Sequence, residues 1–96
     1  MRPSATLKAN ADRVFGVISQ FNVRNPRVFG SVARGEDNDD SDLDILVDPG
    51  EDLTLFDLAR VERELSAILG CRVEVTTPGG LADDVAQNVA REMKPL

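Results

Sequence analysis

Asp42 and Asp44 are the residues of this sequence best placed to do chemistry. They stand two apart, where a run of acidic, amide and hydroxyl residues from Glu36 to Asp42 gives way to the apolar Ile45-Leu46-Val47. On an extended strand, residues two apart leave the same face, roughly 6.5–7 Å from one another. Two carboxylates held that way raise each other's cost of ionisation unless a cation lies between them. Magnesium suits such a pair, because it takes oxygen ligands, prefers one or two carboxylates and keeps places open for phosphate and water. A solvated loop whose last carboxylate caps a turn would use the same residues, and the pair alone does not separate the two readings. For Asp37, Asn38, Asp39 and Asp40 the solvated loop is the simpler expectation.

Gly30-Ser31 shifts the balance toward metal. A glycine closing a strand lets the backbone approach a ligand closely, and a serine opening a helical turn offers its hydroxyl and neighbouring amides to an anion. Arg34, one turn on, is within reach of a terminal phosphate. A phosphate cradle and a carboxylate pair at neighbouring strand ends together specify a site for a metal-bound nucleotide. Two competing motifs fail. Gly30 and Gly35 have the spacing of a P-loop, but Glu36 and Asp37 follow where lysine and Ser/Thr are required. A calcium loop begun at Asp37 has Asp42 at the sixth position, and one begun at Asp40 has Ile45, where the turn needs glycine.

The elements that must position these residues can be read from periodicity. Leu7, Ala11, Val14, Phe15, Ile18 and Phe21 predict a first helix from about Ala5 to Gln20, broken by Asn25-Pro26. Arg27-Val28-Phe29 reads as a short strand ending at Gly30, with a helical turn after Ser31. Leu43 to Val47 is a second strand, apolar enough to be central, and Asp48-Pro49-Gly50 turns the chain. Leu55, Leu58, Val61, Leu65, Ile68 and Leu69 stripe the clearest helix. Thr54 and Asp57 resemble a capping box at its start, and Gly70 stops it. Arg72 to Thr76 alternates as a third strand. Pro78-Gly79-Gly80 leads into a last helix carrying Leu81, Val85, Val89 and Met93. This order predicts an α/β (α+β) fold: a small mixed three-stranded sheet backed by helices, with the second and third strands parallel across the long helix.

Composition narrows the chemistry. A length of 96 residues fits a single domain over residues 1–96, and 42% hydrophobic with 29% charged residues is ordinary for a globular protein. A net charge of −6 argues against direct nucleic-acid binding or attachment to an anionic membrane. A polyphosphate would need a cation to bridge it to such a chain. The absence of histidine removes Ser-His-Asp and Cys-His nucleophiles and histidine zinc sites. Cys71 is the sole cysteine, so no internal disulfide forms, and no segment has signal or membrane-spanning character; a cytoplasmic protein is expected.

The string Gly30-Ser31, ten residues, Asp42-Leu43-Asp44 resembles the signature of the DNA polymerase β-like nucleotidyltransferase superfamily. More narrowly the chain resembles the minimal nucleotidyltransferases (MNT domain), the antitoxin half of HEPN–MNT toxin–antitoxin pairs. The likeness extends through Phe29 to Gly35, Ser41 to Val47, Val73 to Pro78 and the closing Lys94-Pro95-Leu96. It implies the polymerase β-like nucleotidyltransferase fold. It also implies that Gly30, Ser31 and Arg34 bind the nucleotide's phosphates, while Asp42 and Asp44 ligate magnesium, two ions in all. A third carboxylate, usually aspartate, would join them to deprotonate the acceptor; this chain has Glu74, whose alternation with Val73 and Val75 turns it away from the core. One extra methylene there bears on the rate of catalysis and not on the fold. The implied activity is AMP transfer from ATP to a hydroxyl, a tyrosine of a partner HEPN ribonuclease toxin. The expected alternatives are an antitoxin that neutralises by contact alone and a small-molecule adenylyltransferase. The latter is disfavoured because no substrate domain follows the core.

Overall fold

The computed structural model describes residues 1–96. Its first helical region is two helices, α1 (Pro3–Ala9) and α2 (Ala11–Ile18), where the periodicity predicts one. Asn10 makes the break: its backbone leaves helical geometry at φ −120° and ψ 21°, and its side-chain Nδ2 donates to the Thr6 carbonyl at 2.9 Å. An asparagine side chain that bonds the preceding turn offers the backbone an alternative to the helix ladder.

Strand β1 (Val23–Phe29) is longer than expected and runs through Asn25-Pro26. That pair does not terminate a helix; it forms a bulge, with the register against the next strand slipping between Arg24 and Arg27 and Asn25 at φ 53°. Asparagine tolerates this left-handed backbone better than most residues. Helix α3 (Gly30–Arg34) follows at once, then the acidic loop, then β2 (Leu43–Pro49). β2 continues past the turn expected at Asp48, because Arg24 and Val23 pair with Asp48 and Pro49.

Helix α4 (Leu55–Leu69) is capped as its sequence predicts. Thr54 Oγ1 accepts the Asp57 N–H at 3.2 Å, Asp57 Oδ2 accepts the Thr54 N–H at 3.1 Å, and Gly70 closes the helix at φ 67°. Strand β3 (Val73–Thr76) lies parallel to β2 across this helix. A short 3₁₀ turn, Pro78–Gly80, leads to α5 (Asp83–Glu92), with Leu81 before the helix and Met93 at its C-cap.

The sheet has four strands and not three: β4 (Lys94–Pro95) pairs antiparallel with Arg27 and Val28, giving the order β3-β2-β1-β4. A strand of two residues, one of them proline, carries no period to read, and the edge is where a proline is tolerated. β2 divides the molecule. Leu43, Ile45 and Val47 are wholly buried on one face, packed with Val14, Ile18, Val61 and Leu65 of α2 and α4. Burial of each such side chain contributes about 1.5–3 kcal/mol. The other face presents Asp44, Leu46 and Asp48, with α5 lying over it so that Leu46 and Val89 line a common cleft. No helix is long and apolar enough to cross a membrane.

Candidate active site

Strand pairing brings the sequence-predicted residues to one end of the sheet. Phe29 is opposite Asp44 on β1 and β2, and Asp44 is opposite Glu74 on β2 and β3. The turn into α3 therefore starts beside Asp44. Gly30 adopts φ +71°, and a Cβ there would stand 2.5 Å from Asp44 Oδ2. Only glycine meets both demands, the left-handed backbone and the close carboxylate. Ser31 comes next on α3, whose Ala33 is buried and anchors the short helix to the sheet.

Asp44 is half-buried, and its pKa is pushed up to about 6. Burial is the largest cause, followed by the charges of Glu74 and Asp42, a hydrogen bond with Glu74, and the charge of Glu92. Asp42 and Glu74 are exposed beside it. Carboxylate oxygens are the donors magnesium takes, and the repulsion that adds to burial in lifting Asp44 is what a bound cation relieves, so the donor set fits that metal. The side chains are not arranged as a ready metal cage: no group of three or more His, Cys, Asp or Glu is placed to hold an ion. Glu74 is instead engaged by Arg72, 3.0 Å from its Oε1.

Arg34 belongs to the same neighbourhood but is already partnered. Its Nη1 lies 2.8 Å from Glu92 Oε2 and its Nε lies 3.0 Å from Glu36 Oε1. The other oxygen of Glu92, Oε1, accepts the Gly30 N–H at 3.0 Å. These bonds outweigh the effect of burial and hold Glu92 below the usual carboxylate range, with the Arg34 hydrogen bond foremost. Glu92 is the residue that sequence reasoning missed. One signal was present: it ends α5, where the helix's negative pole disfavours an acid, so its placement calls for a partner from elsewhere. Beside it opens a cavity of about 530 Å³, lined by Phe29, Gly30, Arg34, Val85, Asn88 and Glu92 among others.

The acidic loop is only in part the solvated spacer that its composition suggests. Asn38, Asp39 and Asp40 are exposed, but Asp37 is buried at 4% exposure and its Oδ2 accepts the Ser4 N–H at 2.9 Å. Ser4 lies in the first turn of α1, so Asp37 acts as a cap delivered from outside that helix. Burial by itself would raise its pKa; the bonds from Ser4 and the nearby charge of Arg2 prevail and lower it.

Known proteins resemble this chain in sequence and fold. The profile of the nucleotidyltransferase domain matches residues 13–95. The protein adenylyltransferase MntA of Thermococcus cleftensis is 43% identical over 74 residues, spanning 77% of this chain and 75% of that protein. A solved structure described as a minimal nucleotidyltransferase superposes with a TM-score of 0.84 at 43% identity, covering 97% of this chain and 95% of the other. A chain from the complex of the Shewanella oneidensis MNT antitoxin with a tri-AMPylated HEPN toxin gives a TM-score of 0.69 at 17% identity. That alignment covers 92% of this chain and 69% of the other, and it is a likeness of fold.

Proposed function

The chain belongs to the nucleotidyltransferase domain family as a minimal nucleotidyltransferase, and from that premise we propose that it transfers AMP from ATP to a hydroxyl of a partner HEPN toxin, silencing it as its antitoxin. The observation that carries this reading is the contact of Gly30 with Asp44, which sets a closely approachable backbone against a strained carboxylate at neighbouring strand ends.

In this reading the Gly30 amide and the Ser31 hydroxyl bind phosphate oxygens, and Arg34 adds a positive charge. Asp42, Asp44 and Glu74 are the metal-holding carboxylates. Magnesium, when bound by these three, supplies the positive charge that offsets the charge building on the departing pyrophosphate. Glu74 takes the proton of the acceptor hydroxyl, whose oxygen forms a bond to the α-phosphorus as the bond from that phosphorus to pyrophosphate breaks. The acceptor is a tyrosine of the toxin; this chain has no tyrosine of its own to label.

Label transfer tests the reading. The protein, magnesium and ATP labelled at the α-phosphate are added to a candidate HEPN toxin, beside γ-labelled ATP and the Asp44→Asn variant. A toxin band labelled only from the α-position and only with Asp44 intact is the expected result. One observation favours a second reading, neutralisation by contact alone: Glu74 is paired with Arg72 at 3.0 Å, and no three carboxylates are placed together to hold an ion. An Asp42→Asn variant that still neutralises the toxin would establish that reading and sink the first.

A further inference from the structure

We propose that the Glu92 carboxylate is an internal occupant of the triphosphate subsite, which nucleotide enters by displacing it from the Gly30 amide and the Arg34 guanidinium. The inference rests on the nucleotidyltransferase reading above and adds to it the residue that sets nucleotide affinity.

Both oxygens of Glu92 are in use, one accepting from the Gly30 N–H at 3.0 Å and the other pairing with Arg34 at 2.8 Å. A carboxylate that bridges a backbone amide and a guanidinium makes the contacts a phosphate group makes with such donors. While it stays, Arg34 faces two carboxylates, Glu92 and Glu36, and has no charge to spare. An arriving triphosphate would then meet Asp42, Asp44 and Glu74 with no free cation from the protein beside them. Displacement returns Arg34 to the nucleotide. The exchange is mechanically easy: Glu92 is the last residue of α5, its side chain is 20% exposed, and the helix is anchored by Val89 one turn earlier. The cavity of about 530 Å³ next to it gives the side chain room to swing.

The test is titration of the whole chain with magnesium and α,β-methylene-ATP, which cannot give up AMP, with adenosine as the phosphate-free probe. Glu92→Gln keeps the size of the side chain and an acceptor for Gly30, and removes the charge that holds Arg34. It should bind the methylene analogue about tenfold more tightly, the scale of one charge-assisted hydrogen bond, with adenosine binding as in the wild type. In an Arg34→Gln background most of that gain should vanish. Glu92→Asp, too short to reach both partners together, should also tighten binding, and circular dichroism checks that each variant is folded. Binding that depends on Asp44 but is unchanged or weakened by Glu92→Gln overturns the role given to Glu92 and leaves the nucleotidyltransferase reading standing. Binding indifferent to Asp44→Asn in both backgrounds overturns the two together.

Discussion

Asp37, near the start of the acidic run, and Asp44, just beyond its end, are treated by the fold in opposite ways. Asp37 is tucked under α1; burial is the largest single influence on it and would raise its pKa, but the bonds from Ser4 and the charge of Arg2 together prevail and hold its carboxyl below the usual range. Asp44 faces Glu74 and Asp42 from a half-buried position and is pushed up to about 6. The first arrangement makes ionisation favourable and stabilises a helix end. The second makes ionisation costly, a tension that a metal-bound substrate would relieve. Residues of the same type, separated by seven positions, thus divide between holding a helix end and, in the proposed function, equipping the protein for catalysis.

Under the proposed function, the greatest change falls on Asp44. Asp44→Asn should cut label transfer about 10³-fold or more, since a metal clamp supplies several kcal/mol of charge stabilisation. At the structural end, Asp37→Ala should cost about 1 kcal/mol, the worth of a helix cap, and lower the melting temperature by about 4–8 °C. Transfer per folded molecule should stay as in the wild type. A loss of transfer without a loss of stability would reverse the assignment of Asp37.

Smaller effects sharpen the contrast through pH. Because folding raises the pKa of Asp44, its ionised form costs stability above pH 6, and the cost fades as pH falls toward the unfolded value near 3.8. Metal-free Asp44→Asn should therefore be more stable than the wild type at pH 7, by up to about 1 kcal/mol after solvent screening, and indistinguishable from it near pH 4. Asp37 has the opposite sign. Folding lowers its pKa, so its contribution is complete above the ordinary value of 3.8 and disappears as pH falls through the depressed folded value. Chemical denaturation of both variants and the wild type at pH 7, 5 and 3 reads the two trends in one series.

Much of the architecture was legible because it is local. The stripe from Leu55 to Leu69, the Thr54–Asp57 cap and Gly70 define α4 without help from the rest of the chain. The alternation of Leu43, Ile45 and Val47 with Asp44 and Leu46 assigns the two faces of β2, and the structure keeps them so. The spacing of Gly30-Ser31 from Asp42 and Asp44 marked the end of the sheet where the site would lie, and the register of β1, β2 and β3 brings Gly30, Asp44 and Glu74 to that end. The break at Asn10 was hidden, since Leu7, Ala11 and Val14 keep helical spacing across it.

Sequence alone supplied every candidate site residue but Glu92, and the strands that carry the carboxylates, because side-chain type, a period of two and a glycine's backbone freedom are properties of short segments. Only the tertiary structure decided which acids stay free. The bond between Asp37 and Ser4 spans 33 positions, and the one between Glu92 and Gly30 spans 62. β4 likewise exists only because β1 offers it an edge. An ionisable side chain takes its energy from whatever the fold sets within a few ångströms of it, so its role is settled by neighbours that lie far away along the chain.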